Sequence, residues 1–189
     1  MWRAITFLLS ITALSACSNH KQQTISEEEK AALMLLGDSI SVEMQNVLLQ
    51  NVGEAIQKGG TDYAVEFCNI QAMPLADSIA DHLKVYIQRL SDKNRNPANA
   101  IQTQMDSIAW EKMKSEKTDF IEENKSGAVY YYKPILIAMP TCIKCHGGKT
   151  DITKSTQKMI AQKYPNDKAI GYQMGDLRGM WKIKLKQNQ

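Results

Sequence analysis

Residues 142–146 read Cys-Ile-Lys-Cys-His, and no other stretch of the chain restricts its fold as strongly. C-x-x-C-H is the attachment sequence for c-type haem. Two thiols add across the two vinyl groups of one porphyrin, and two intervening residues let both reach while the chain curls beneath the ring. The next residue, His146, then falls under the iron as the proximal ligand. On that reading the chain should fold around a flat, covalently held macrocycle, and 189 residues suffice for one domain with a real core. A zinc ribbon would need a second pair of thiols or imidazoles at its own spacing, which the sequence lacks. A dithiol redox pair at Cys142 and Cys145 stays open as the alternative, which would make the chain a thiol–disulfide oxidoreductase.

The N-terminus reads as an address. Arg3 precedes ten apolar and small residues at 4–13 (AITFLLSITA), a signal-peptide core too short to span a bilayer. Leu14-Ser15-Ala16-Cys17 resembles the lipobox of bacterial lipoproteins. That resemblance implies cleavage after residue 16, acylation of Cys17 and a stable anchor of two or more acyl chains. Residues 17–25 then form a polar tether and residues 26–189 the domain. The expected location is the cell envelope, lipid-anchored through Cys17, facing the periplasm and most simply on the outer membrane.

With Cys17 acylated, Cys68, Cys142 and Cys145 remain. Three thiols in an exported domain cannot all pair, so a disulfide framework accounts for them poorly. A net charge of +3 with 7% aromatic residues, and no basic patch interleaved with rings, excludes nucleic acid as a partner.

Ser26 and Glu29 form a capping box. Leu33, Leu36, Ile40, Met44, Val47 and Ala55 then recur at helical spacing, so a long amphipathic helix should run to Lys58 and stop at Gly59-Gly60. Thr61-Asp62 can cap a second helix bearing Ala64, Cys68, Ala72 and Leu75, with Pro74 bending or ending it. Residues 85–90 alternate like a strand, 91–100 are a polar loop and 105–116 return to a helical pattern. Residues 128–138 are rich in β-formers, and Pro134 restricts them to an edge or a bulge. A short helix should cover 152–163, and 180–186 (MWKIKLK) should be a half-buried strand with its lysines on a solvated face. Helices first and strands late give an α+β fold.

Seven segments, taken together and in order, resemble a family of PAS-like single-haem c domains found alone or as the sensory part of bacterial histidine kinases. They are Ala64-Val65-Glu66-Phe67-Cys68, residues 93–99, Tyr132-Lys133-Pro134-Ile135, residues 142–147, Tyr164-Pro165-Asn166-Asp167, Gly171-Tyr172 and Gly175-Asp176-Leu177-Arg178-Gly179. Trp110-Glu111 comes later than the family's aromatic–acid pair, a local loop difference. The resemblance implies a central antiparallel sheet of PAS type flanked by helices, with the haem between sheet and helical layer. It also implies that Cys68 is the second axial ligand.

On the residues alone, a lone Cys on an apolar helix face is more often a small core residue than a ligand. His82 is the best histidine rival but reads as exposed, and His20 falls in the tether. Met73, Met139 and Met174 read as gap-filling core, and Arg95 or Arg178 can equally serve haem propionates or loop carbonyls. Two protein ligands on one haem favour electron transfer with an unidentified redox partner. If the thiolate is released on reduction, a gas molecule can bind and the domain can sense. No nucleophile triad, acid pair or phosphate loop supports an enzyme.

Overall fold

The computed structural model describes residues 25–186, so the expected leader, the acylated Cys17 and His20 lie outside the described residues. The chain forms a four-stranded antiparallel sheet with helices on both faces, an α+β fold. Helix α1 (Glu27–Leu83) comes first, followed by β1 (Tyr86–Leu90), α2 (Gln104–Glu116), β2 (Phe120–Glu123) and β3 (Val129–Leu136). Two short helices, α3 (Pro140–His146) and α4 (Lys154–Lys163), precede the last strand, β4 (Leu177–Lys186). The strand order is β1-β4-β3-β2, which places the C-terminal strand inside the sheet. Among the described residues, no helix is long and apolar enough to cross a membrane.

Helix α1 begins where the capping box places it, with the Ser26 hydroxyl accepting from the Glu29 N–H at 3.1 Å. Gly59 and Gly60 break it, Gly60 at a φ of 72° that only glycine adopts freely. Unbroken, the helix would hold Leu48 and Leu75 about 40 Å apart. Instead Met44 and Leu48 from the first arm and Leu75, Ala76 and Ile79 from the second gather around Trp181. The two arms therefore fold back on each other as a hairpin across one face of the sheet. Pro74 does not end the second arm, which runs to Leu83. The apolar contacts of Leu75, Ala76 and Ile79 hold the turns beyond the missing N–H.

The opposite face is covered by α2, whose Ala109, Trp110 and Met113 pack with Leu90, Phe120, Tyr132 and Met180. Pro134 meets the edge expectation locally. Strand β2 pairs only with Val129–Tyr132, so at Pro134 the far side of β3 has no neighbour. The four-residue β2 carries no alternation legible in the sequence, and it forms because Asn124 folds the turn back: its Oδ1 accepts from the N–H groups of Ser126 and Ala128.

Two expectations are corrected. The lysines of β4 are not all solvated, because Lys182 is buried and pairs with buried Asp106 of α2 at 2.6 Å. Strand β4 is covered by α1 on one face and α2 on the other, which the alternating sequence does not reveal. Leu36, expected on the buried stripe of α1, is exposed.

Gly37 seats the first arm on the sheet: a Cβ there would stand 2.3 Å from Cγ of the buried Tyr131. In helical terms Ala is better than Gly by about 1 kcal/mol, but overpacking costs about 1–3 kcal/mol. Tyr131 has little room to give, since its hydroxyl donates to Asp119 at 3.0 Å. Gly37→Ala should therefore lower stability in urea unfolding. Gly53→Ala, with nothing within 4 Å of the new methyl, should raise it by about 0.5–1 kcal/mol.

Candidate functional site

The C-x-x-C-H motif forms the last five residues of α3, entered through Pro140 at the first helical position. Cys142 and Cys145 are three residues apart on a helix and so share one side of it. Cys142 packs with Ile143 against Ile137, Ala169 and Tyr172, while Cys145 packs against Val65, Ile152, Ile160 and Tyr164. Both are free, half-buried thiols, as is Cys68. Gly147 closes the motif because a Cβ there would lie 2.5 Å from the Ile143 side chain and 2.7 Å from its carbonyl.

His146 is held by its backbone and its ring. Its carbonyl accepts from the Tyr172 N–H at 2.9 Å, and Nδ1–H donates to the Ala169 carbonyl at 2.8 Å. That bond fixes the tautomer and leaves Nε2 with a free lone pair. Burial, reinforced by the positive charges of Arg95 and Arg178, holds the imidazole well below its usual pKa, so it is neutral at pH 7. The Tyr172 ring meets His146 edge-on at 6.3 Å.

Arg95 ties the pieces together. Its guanidinium forks onto Asp167 at 3.1 and 3.2 Å. The same Nη2 donates to the Cys145 carbonyl at 2.6 Å and to the Ala169 carbonyl at 3.4 Å. Asp167 in turn accepts from the Ala169 N–H at 2.9 Å. One half-buried ion pair thus fixes both the helix carrying the thiols and the carbonyl that orients His146.

Three arginines, Arg95, Arg178 and Arg89, lower the pKa of His146, and of these only Arg95 has a carboxylate partner among the described residues. Arg178 donates to the Lys93 carbonyl at 3.2 Å, and its Nε is buried without a partner. Arg89 lies 5.9 Å over the Trp181 ring, and burial lowers the pKa of both guanidiniums. The surroundings of His146 therefore carry uncompensated positive charge, with an orphaned donor.

Cys68 lies on the second arm of α1. Burial raises its pKa, Arg89 and Arg95 oppose that rise, and its charge in turn raises Cys145. The fold thus brings Cys68 into the neighbourhood of Cys145 and the arginines, from 77 residues away in sequence. The rivals fare differently: His82, Met139 and Met174 are exposed, and Met73 is half-buried. Among the described residues, no cluster of three or more His, Cys, Asp or Glu side chains is placed to hold a bare metal ion.

The sequence reading missed Arg89 and assigned no role to Asp167 or Ala169. Arg89 was detectable, because in residues 85–90 it falls on the same side as Val85 and Ile87, a charge on the apolar face of a strand. Asp167 acts through pairing over 72 residues, which no local pattern encodes.

The family model described as Tll0287-like matches residues 12–185. The chain belongs to the Tll0287-like family. Among solved structures, the crystal structure of the cyanobacterial heme-protein Tll0287 is similar to this chain, with 30% identity and a TM-score of 0.53. The match covers 61% of this chain and 70% of that one. Comparison with curated proteins returned no match. The motifs read from the sequence therefore sit in a Tll0287-like chain whose structural relative is a haem protein.

Removing Asp167 would leave the half-buried Arg95 without its carboxylate but with two carbonyl acceptors, a loss of about 1.5–3 kcal/mol. Asp167→Ala should show a loss of that order in urea unfolding. Arg95→Lys should not restore stability, because an ammonium cannot reproduce the fork onto Asp167 together with the carbonyl bonds.

Proposed function

We propose that this chain is a c-type haem protein of the cell envelope with a single redox-active haem. Cys142 and Cys145 would form the thioether bonds, His146 would be the proximal iron ligand and Cys68 the ligand on the far side. The observation that carries the reading is the free Nε2 of His146, oriented by the Ala169 carbonyl and immediately following the C-x-x-C thiols. A metal-binding imidazole characteristically donates its other nitrogen in this way. The positive surroundings and the orphaned Nε of Arg178 suit an anionic group, so Arg178 and Arg89 are the residues to hold the haem propionates. The haem protein among this chain's relatives supports the same cofactor.

Haem supplies reversible one-electron chemistry when bound. The protein's part is to hold His146 neutral and in one tautomer, and to present Cys68, whose thiol burial pushes up while Arg89 and Arg95 partly oppose that rise. Were haem held by His146 and Cys68, the negative charge of a Cys68 thiolate would favour the oxidised state and a lower reduction potential than a His/Met pair gives. Electron transfer with a protein partner and redox or gas sensing both follow from that arrangement, in a PAS-like domain tethered to the membrane through acylated Cys17. The oxidoreductase reading is less favoured, because His146 directly follows the second thiol and is oriented with Nε2 free, an arrangement a dithiol pair does not require.

Absorption spectra of the purified protein beside Cys68→Ala test the axial assignment. Loss of a low-spin, thiolate-type ferric spectrum in the variant is expected, and an unchanged spectrum removes Cys68 from the iron. Carbon monoxide added to the ferrous protein separates the two uses. Rapid uptake with loss of the sixth ligand points to sensing, and an inert six-coordinate haem points to electron transfer.

A further inference from the structure

The surface around the entry to α3 carries an apolar patch. Leu136, Met139, Ile170 and Met174 are all exposed. Backbone bonds bring their segments together: the Ile137 N–H donates to the Asp176 carbonyl and the Gly175 N–H to the Ile137 carbonyl, each at 2.9 Å. The four side chains border the buried cluster of Ile137, Ala169 and Tyr172, against which Cys142 packs. Single exposed apolar side chains are ordinary, whereas a group of them rimmed by charge marks an interaction site.

The rim is basic. Residues 139–176 hold six lysines and three aspartates, so this segment alone accounts for the +3 net charge of the whole chain. Lys144, Lys149 and Lys168 are exposed, and Lys93 Nζ donates to the Ile170 carbonyl at 2.8 Å, which fixes an ammonium at the edge of the patch. Asp92 adjoins Lys93 and offsets one of these charges. Of the segment's aspartates, Asp167 is paired with Arg95, Asp151 accepts from the Gly148 N–H at 2.8 Å and Asp176 from the Gln173 N–H at 2.7 Å.

We infer that this patch docks an acidic one-electron carrier protein. The inference rests on the haem reading, because Cys142 of the attachment motif packs into the cluster that the patch surrounds. One electron leaves the reduced centre of one protein and reduces the oxidised centre of the other, and no bond forms or breaks at the contact. The lysines steer an acidic surface toward the patch and reject a basic one. Two of the four apolar side chains are methionines, which adapt to a partner's shape and are enriched at protein interfaces. A lipid surface is met instead by Trp, Phe or Leu, and of these the patch has only Leu136.

Oxidised flavodoxin, an acidic one-electron carrier, serves as the probe. Titrated at low salt into the ferric, haem-loaded protein isotope-labelled at its methionine methyls, it should shift the resonances of Met139 and Met174. The buried methyls of Met44, Met113 and Met180 should stay in place. Lys149→Glu combined with Lys168→Glu should weaken binding about tenfold with haem absorption unchanged. Lys30→Glu with Lys125→Glu makes the same charge change at the other end of the sheet, where Val129 pairs with Lys186 and Lys186 with Glu29. That variant should bind within about twofold of the parent. Unmoved Met139 and Met174 methyls, or binding indifferent to the Lys149 and Lys168 substitutions, overturn the inference. So do phosphatidylglycerol vesicles that move these methyls when flavodoxin does not, which would make the patch a membrane contact. A protein without covalent haem shows it in its absorption spectrum before any titration and fails the cofactor reading, whereas unmoved methyls on a haem-loaded protein fail the docking surface alone.

Discussion

The half-buried pair between Arg95 and Asp167 is the contact on which the candidate site depends. It links three segments far apart in sequence: the loop after β1, the last turn of the helix carrying the two thiols, and the loop that supplies the acceptor for His146. Without it, the Ala169 carbonyl that selects the His146 tautomer would rest on its own loop alone. A surface pair would contribute little to such a task. This one is largely screened from solvent, its donors and acceptors are used several times over, and its geometry is set by a forked guanidinium rather than a point charge.

The site is built on a platform made by the helical hairpin. The glycine pair at 59–60 turns α1 back, and the second arm then presents one face to the sheet and another to α4. Contacts across this joint are polar as well as apolar. Thr156 donates to Asp62 at 2.5 Å, and Lys163 pairs with Glu66 at 2.8 Å. Asn69 donates to the Lys163 carbonyl at 3.2 Å. Cys68 lies among these anchoring residues, so its place relative to α3 and α4 is fixed by the same contacts that dock the arm.

Local rules made much of this legible. The capping box, the glycine pair, the alternation of β1 and the turn-rich loops each act within a few residues, and each element formed near its expected place. Three features were not legible because their causes are distant. Lys182 is buried by its position inside the sheet and by Asp106, 76 residues away. Strand β2 exists through its pairing with β3 and the Asn124 turn. Helix α1 passes Pro74 because tertiary packing outweighs the lost hydrogen bond. For the site, the thiols and His146 stood out as a motif, whereas the clamp that orients them is a set of long-range contacts.

The central claim is the proposal that Cys142 and Cys145 of α3 would hold one covalently bound haem, with His146 offering Nε2 to its iron. Intact-mass analysis of the purified protein after acid–acetone extraction, with mapping of the peptide spanning 142–146, tests it most directly. The account predicts one haem retained on that peptide, and its loss when Cys142 and Cys145 are both replaced by Ser. A protein that yields all its haem to extraction, or in which both thiols alkylate freely, would contradict it.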